Sequence, residues 1–422
     1  MALQGKDRLT AVPPDERVHW RVPALIFGGL EFTIPVLMAG AALADDFGLA
    51  SILAILAVAL ALQWAGNALQ GYMGASSGLS STFLARRSFG TTQSRFVVGP
   101  LLALLSMGWW AVQTAVAGNA IAAMAGIDYR TERLAWGLVT AAAGVVFAVP
   151  SVLGYRSVKW TDYVAVPAGL LLVVTGLWFA LERGGLEGLA SWDPRGSMTF
   201  LEGVSVVIGV NAAQWVIASD YTRYSRPTVA DQLKIPVGIV GVGLPLFFAG
   251  AVMAVGVGSA DIVRVMQDLG VPAWGFLILW FATWTSQLVN NYTMGLALAN
   301  TWGATTERAR KLLTVLGTAA ALGVALAGIV DHFVQFLMAA AVVYPAIAGV
   351  MFADFFLRRR GRSREGPAAR PAAGEEGLRP SPPEGDGPRE GGEAAGARPA
   401  WNARATLALA ADRTERIRLG TG

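Results

Sequence analysis

Cysteine is absent from the 422 residues, which excludes disulfides, thiolate metal sites and a cysteine nucleophile. Histidine is nearly absent: His19 and His332 fall at the edges of apolar segments, which argues against a histidine metal centre. Charge is scarce. Only 15% of residues are charged, against about 25% in soluble domains, while 54% are hydrophobic and the mean hydropathy is +0.49. The net charge of +4 sits in loops and implies no nucleic-acid partner. The opening MALQGKDRLTAVPPDERVHWR has no apolar core of a signal peptide, so the first hydrophobic segment is expected to be a retained helix. What is abundant is hydrophobic segments of about 20 residues, the length that crosses a bilayer. The composition is that of an all-α integral membrane protein.

Ten spans are expected, at 23–43, 50–73, 96–125, 134–153, 162–181, 203–219, 235–258, 271–300, 311–330 and 333–357. The third and eighth exceed a perpendicular crossing, which tilt accommodates. Loop charges alternate. One set of loops carries Lys6, Arg8, Arg17 and Arg21, then Arg86, Arg87 and Arg95, then Arg156 and Lys159, and later clusters at 223–234, 308–311 and 358–360. The other set carries only Arg130, Arg133, Arg183, Arg195 and Arg264. The positive-inside rule then places both termini in the cytoplasm, in a cell inner membrane. Residues 1–22 form a cytoplasmic segment and 23–357 the core, with repeats at about 23–182 and 203–357. The Pro-, Gly-, Arg- and Glu-rich stretch 358–422 reads as a disordered polar tail.

Polar residues interrupt particular spans. The first, PALIFGGLEFTIPVLMAG, holds Gly28, Gly29, Glu31 and Pro35; the sixth holds Gly209, Asn211 and Gln214. These open the two five-span halves, and interrupted helices at corresponding positions point to a transporter site. The plainer alternative is that Gly and Pro are common in membrane helices. Glu31 is the one ionisable residue deep in a span, suited to carrying a proton or orienting a ligand, or else a carboxyl capped at a bend. Asp220, beside Arg223 at the end of the sixth span, reads as a structural anchor or gate element. In the third span Trp109 and Gln113 are i, i+4 and share a face. A flat apolar ring beside an amide suits a planar heterocycle; ordinary packing with an interhelical hydrogen bond suits them equally. In the eighth span Ala282, Thr285 and Ser286 cluster a carbonyl and two hydroxyls, as a monovalent cation requires, unless each hydroxyl bonds back to its own helix. Asn291 shares a face with Gln287 and offers either a second amide for the heterocycle or a tie between helices.

Four segments in order, GLSSTFLARRSFG (78–90), GWWAVQ (108–113), SDYTRYSRP (219–227) and TSQLVNNYTMGLALAN (285–300), resemble the nucleobase:cation symporter-1 family over residues 20–357. The resemblance implies two inverted five-helix repeats with broken first and sixth helices. The family's two further peripheral helices have no counterpart beyond PAWNARATLALA, which is similar to the lead-in of an eleventh helix; natural truncation and a sequence anomaly are the two expectations. By the same resemblance Trp109 stacks on the base while Gln113 and Asn291 hydrogen-bond it. Thr285, Ser286 and the Ala282 carbonyl hold sodium, with carbonyls of Gly29 and Phe32 completing the site. One position departs: the family's second stacking aromatic falls on Asn211, with Trp215 one turn away.

The expected activity is therefore secondary-active import of a nucleobase-like heterocycle, cytosine or a purine first, by cation symport with Na+. Uracil, allantoin or hydantoin, or a thiamine pyrimidine precursor are the alternative substrates, and H+ through Glu31 the alternative coupling ion. Substrate contacts are expected from Trp109, Gln113, Asn291, Asn211, Gln214, Trp215 and Glu31. A non-transporting membrane receptor is the alternative of another class. No enzyme chemistry, cofactor or obligate partner is expected, and a monomer in the bilayer suffices.

Overall fold

The computed structural model describes residues 11–153 and, with short gaps, 170–358; at 273–282, 285 and a few other helical positions only the backbone is described. All of these lie in one unit, Met1–Gly366. The described residues are helical, with no strand and one isolated bridge between Val18 and Ser225. The helices are α1 (Arg21–Glu31), α2 (Ile34–Asp46), α3 (Leu49–Ser77), α4 (Ser81–Gln93), α5 (Gly99–Met124), α6 (Arg133–Leu153), α7 (Phe200–Asn211), α8 (Gln214–Thr222), α9 (Val237–Val257), α10 (Ile262–Asp268), α11 (Ala273–Trp302), α12 (Glu307–Leu326) and α13 (Phe333–Phe352). Among the described residues, five helices are long and apolar enough to cross a bilayer, or seven if each bent pair counts as one crossing. The expected span at 162–181 lies largely outside the described residues, as does the tail from 359 onward.

Local chemistry sets the helix ends. Thr199 and Glu202 form a capping box at the start of α7. Gly78 closes α3 with a left-handed φ of 72°, donating its N–H to the Gly74 carbonyl. The third span runs as one helix from Gly99 to Met124 and is preceded by a break. Gly90, with φ of 77°, kinks α4, and a π-helical turn at Ser94–Val98 leads into α5. The segment 78–90, read from sequence as a loop, is thus mostly helix.

α11 shares its largest interface with α5, and α2 packs along α9. The second contact depends on absent side chains. A methyl at Gly250 would overlap the Leu37 carbonyl, and one at Gly40 the Phe247 carbonyl. Gly250→Ala is therefore expected to cost about 1–3 kcal/mol, because a packed backbone has no room to yield. A thermal midpoint in detergent equal to that of the parent would remove this contact as a determinant of the packing.

The main core gathers Phe32, Ile34, Trp109, Val112, Phe247 and Leu337 around the two bends. It extends to Val263, Val265 and Met266 of α10, so that short helix is inserted rather than laid on the surface. Asp261, just before α10, accepts from the Tyr129 hydroxyl and from Arg130 at 2.9 Å. Burial, then the bond to Asp261, pushes the Tyr129 phenol above its usual range.

Candidate functional site

The site starts from two broken helices. Between α1 and α2 the chain bends by 59°. Pro35 has no N–H to give, and Thr33 is extended at φ −138°, ψ 151°. The Thr33 N–H bonds the Glu31 carbonyl at 2.7 Å, and the Val36 N–H bonds the Thr33 carbonyl at 3.2 Å. In an unbroken helix those two donors would serve Gly29 and Phe32. The bend therefore strips the i+4 partner from the two carbonyls singled out by the family resemblance.

Between α7 and α8 the bend is 46°. The Trp215 N–H turns to the Ala212 carbonyl, releasing that of Asn211, which accepts from Gln63 Nε2 at 2.7 Å. Gln63 Oε1 accepts in turn from Trp215 Nε1 at 2.6 Å. Asn211 Nδ2 donates to Glu31 Oε1 at 2.7 Å, so one hydrogen bond joins the two breaks. Glu31 is 3% exposed and also rests against Gly243 of α9.

On α5, Trp109 and Gln113 are both buried. Phe336 of α13 stands edge-on to Trp109, with ring centroids 5.1 Å apart at 79°. Gln113 Nε2 donates to Ser286 Oγ at 2.8 Å. That bond brings an expected substrate residue and an expected cation residue together. Among the described residues, Gln113 Oε1 and Trp109 Nε1 have no hydrogen-bond partner. A buried polar atom left unpaired costs about 1–3 kcal/mol. An acceptor and a donor left open within one turn of α5 suit a ligand with a complementary polar edge.

Other expected residues go elsewhere. Asn291 Oδ1 accepts from the Thr318 hydroxyl of α12 at 2.7 Å, a tie between helices. Gln287, expected on the same face, donates instead to the Trp110 carbonyl at 3.1 Å and to Thr114 Oγ1 at 2.6 Å on α5. Trp215 turns toward α3, where its ring occupies the space a side chain at Gly66 would need. Gln214 is half-buried, and its Oε1 has no partner among the described residues. The side chains of Ala282 and Thr285 lie outside the described residues.

Sequence reasoning missed Gln63 and Phe336. Gln63 had a signal: Gln63, Asn67 and Gln70 recur at i, i+4 and i+7 in an otherwise apolar span, and Gln70 supports α8 as Gln63 does, donating to the Val216 carbonyl at 2.6 Å. Phe336 is one aromatic in an apolar segment and gave none.

Residues 11–366 match the family model described as "Permease for cytosine/purines, uracil, thiamine, allantoin". The chain is 28% identical over 294 residues to the cytosine permease of Escherichia coli strain K12, covering 69% of this chain and 66% of that protein. It is 26% identical over 324 residues to the purine-cytosine permease FCY21 of Saccharomyces cerevisiae, covering 68% and 58%. It thus spans just under two thirds of the length of the bacterial relative. Among solved structures it resembles Mhp1, a nucleobase-cation-symport-1 family transporter in a closed conformation with bromovinylhydantoin bound. That match has a TM-score of 0.69 at 20% identity, over 85% of this chain and 82% of that one, and shows a shared fold. With the family model covering most of the chain and the broken-helix fold agreeing, the protein belongs to the cytosine/purine permease family, nucleobase:cation symporter-1, a family of membrane permeases rather than enzymes.

Proposed function

We propose that the protein imports a planar nucleobase-like heterocycle, cytosine or a purine first, by symport with Na+. The observation that carries this reading is the open pair on α5. Among the described residues, Trp109 offers a ring and an unpartnered N–H, and Gln113 offers an unpartnered carbonyl while its amide bonds Ser286. Trp109 stacks on the base, and Gln113 Oε1 accepts from a ring or exocyclic N–H. Asn291 is assigned to the base by family resemblance alone, since its carbonyl is tied to Thr318 here. Sodium sits between Ser286, Thr285, the Ala282 carbonyl and the released carbonyls of Gly29 and Phe32. Ten helices in two inverted repeats rock about this point, with both termini cytoplasmic in the inner membrane and the monomer as the working unit.

Coupling to H+ is the second reading. Glu31 is buried at the junction of the two breaks with an uncharged amide as partner.

A thermal-shift panel on purified protein tests substrate and ion together. Cytosine, adenine, hypoxanthine, uracil, allantoin, hydantoin and hydroxymethylpyrimidine are each added in sodium and in potassium. A ligand that binds the native state raises its midpoint by mass action. The expected result is one base raising the midpoint in sodium and not in potassium. No shift from any base in either salt discards the nucleobase reading. Counterflow in proteoliposomes separates a transporter from a receptor, which gives none.

A further inference from the structure

Asp220 and Arg86 belong to neither expected site, yet both are engaged around α4. Asp220, on α8, accepts from the Ser81 backbone N–H at 2.7 Å and from the Ser81 hydroxyl at 2.8 Å, so it caps the first turn of α4. Arg86, further along α4, reaches the other way. Its Nε and Nη2 both donate to Asn300 Oδ1 on α11, at 3.0 and 2.7 Å. Asn300 Nδ2 donates to the Ser94 carbonyl at 2.9 Å. α4 is therefore bonded to α8 at its first turn and to α11 from its middle. Beneath it lies a cavity of about 20 Å³ whose lining includes Ser81, Asp220, Thr293, Leu296 and Asn300. That is room for roughly one water. The cavity follows α11 from Thr293, seven residues or about 10 Å beyond Ser286.

The α8 side of this arrangement is anchored. Arg17 donates to the Ala75 carbonyl of α3 at 2.7 Å, and to the carbonyls of Arg223 and of Ser225 just past α8. The Val18 N–H bonds the Tyr224 carbonyl at 2.6 Å. With the ends of α3 and α8 strapped together, separation falls on the α4 bonds. We propose that α4 is the bar of the cytoplasmic exit gate, and that Asp220 and Arg86 are the positioning residues that hold it shut. This rests on the transport reading above. Release toward the cytoplasm requires the Asp220–Ser81 and Arg86–Asn300 bonds to part and the narrow cavity to widen along α11.

The lack of cysteine makes the test direct. Thr293→Cys places one thiol in the cavity, and Ala249→Cys, in a second protein, places one in the fully buried α2–α9 core. Maleimide labelling is timed in detergent without substrate, so it does not depend on which base binds. Hydrogen bonds to charged groups are worth enough that Asp220→Asn or Arg86→Gln is expected to speed labelling at 293 roughly tenfold, with 249 still unlabelled. Ser81→Ala, which leaves Asp220 the backbone N–H, should give a smaller rise, and it decides the matter should a charge variant not fold. Unchanged labelling at 293 in the variants that fold overturns the gate. So does a rise at 293 and 249 together, which reports general loosening. Failure of the nucleobase reading would show in the thermal-shift panel and leave these rates as they are.

Discussion

Gln113→Leu is expected to weaken binding of the transported base by about 10- to 100-fold while leaving the protein folded. The two ends of this side chain have different partners. Gln113 Oε1 is buried without a partner among the described residues, which leaves it open to a donor on the ligand. A ligand N–H bonded to it is buried with its partner, and leucine would leave that N–H unpaired. Losing this bond costs about 1–3 kcal/mol of binding, each 1.4 kcal/mol being tenfold in Kd. Stability should change little, because leucine of similar size removes both the orphaned carbonyl and the amide bonded to Ser286, and the serine hydroxyl can turn to its own helix. Gln287→Leu is the contrasting variant. Its Oε1 likewise has no partner among the described residues, but its amide makes two bonds to the neighbouring helix, to the Trp110 carbonyl and Thr114, against the single bond of Gln113, so its loss should lower the thermal midpoint further. Calorimetric titration of both variants with the base identified by thermal shift checks this. An unchanged Kd in Gln113→Leu takes the residue out of the substrate site.

The places where helices break were legible in the sequence because breaks follow from local chemistry. Pro35 cannot donate, Gly28 and Gly29 weaken the turn before it, and the chain bends at 32–33. Gly209, Asn211 and Gln214 bracket the second bend in the same way. The pairing of Trp109 with Gln113 followed from i, i+4 spacing. The partners did not, because they come from elsewhere in the chain. Gln287 and Asn291 differ by only about 40° around α11, yet one bonds α5 and the other α12, since α11 lies between those two helices. Trp215 was within reach of either side, and the missing side chain at Gly66 admits its ring toward α3. The segment 78–90 looked like a loop through its serines and arginines. Asp220 at its first turn and Asn300 on its flank are 139 and 214 residues from the groups they bind, contacts that no local pattern encodes.

Thr285→Ala combined with Ser286→Ala is expected to abolish the sodium dependence of base binding. A sodium ion without carboxylates relies on neutral oxygens in number, and this variant removes two of those proposed while leaving carbonyls that hold the ion too weakly alone. In the parent, sodium at about ten times its Kd should stabilise the folded state by about 1.4 kcal/mol and raise the midpoint accordingly. In the double variant sodium and potassium should give the same midpoint, and the base should bind equally in both salts. Glu31→Gln separates the two coupling schemes. Glutamine keeps an acceptor for Asn211 Nδ2 but holds no exchangeable charge. Under sodium coupling its uptake stays sodium-driven, and a pH-sensitive dye inside proteoliposomes reports no substrate-dependent acidification in either protein. Sodium stimulation that survives in Thr285→Ala/Ser286→Ala, with uptake lost in Glu31→Gln, transfers coupling from the hydroxyls of α11 to the carboxyl at the junction of the two broken helices.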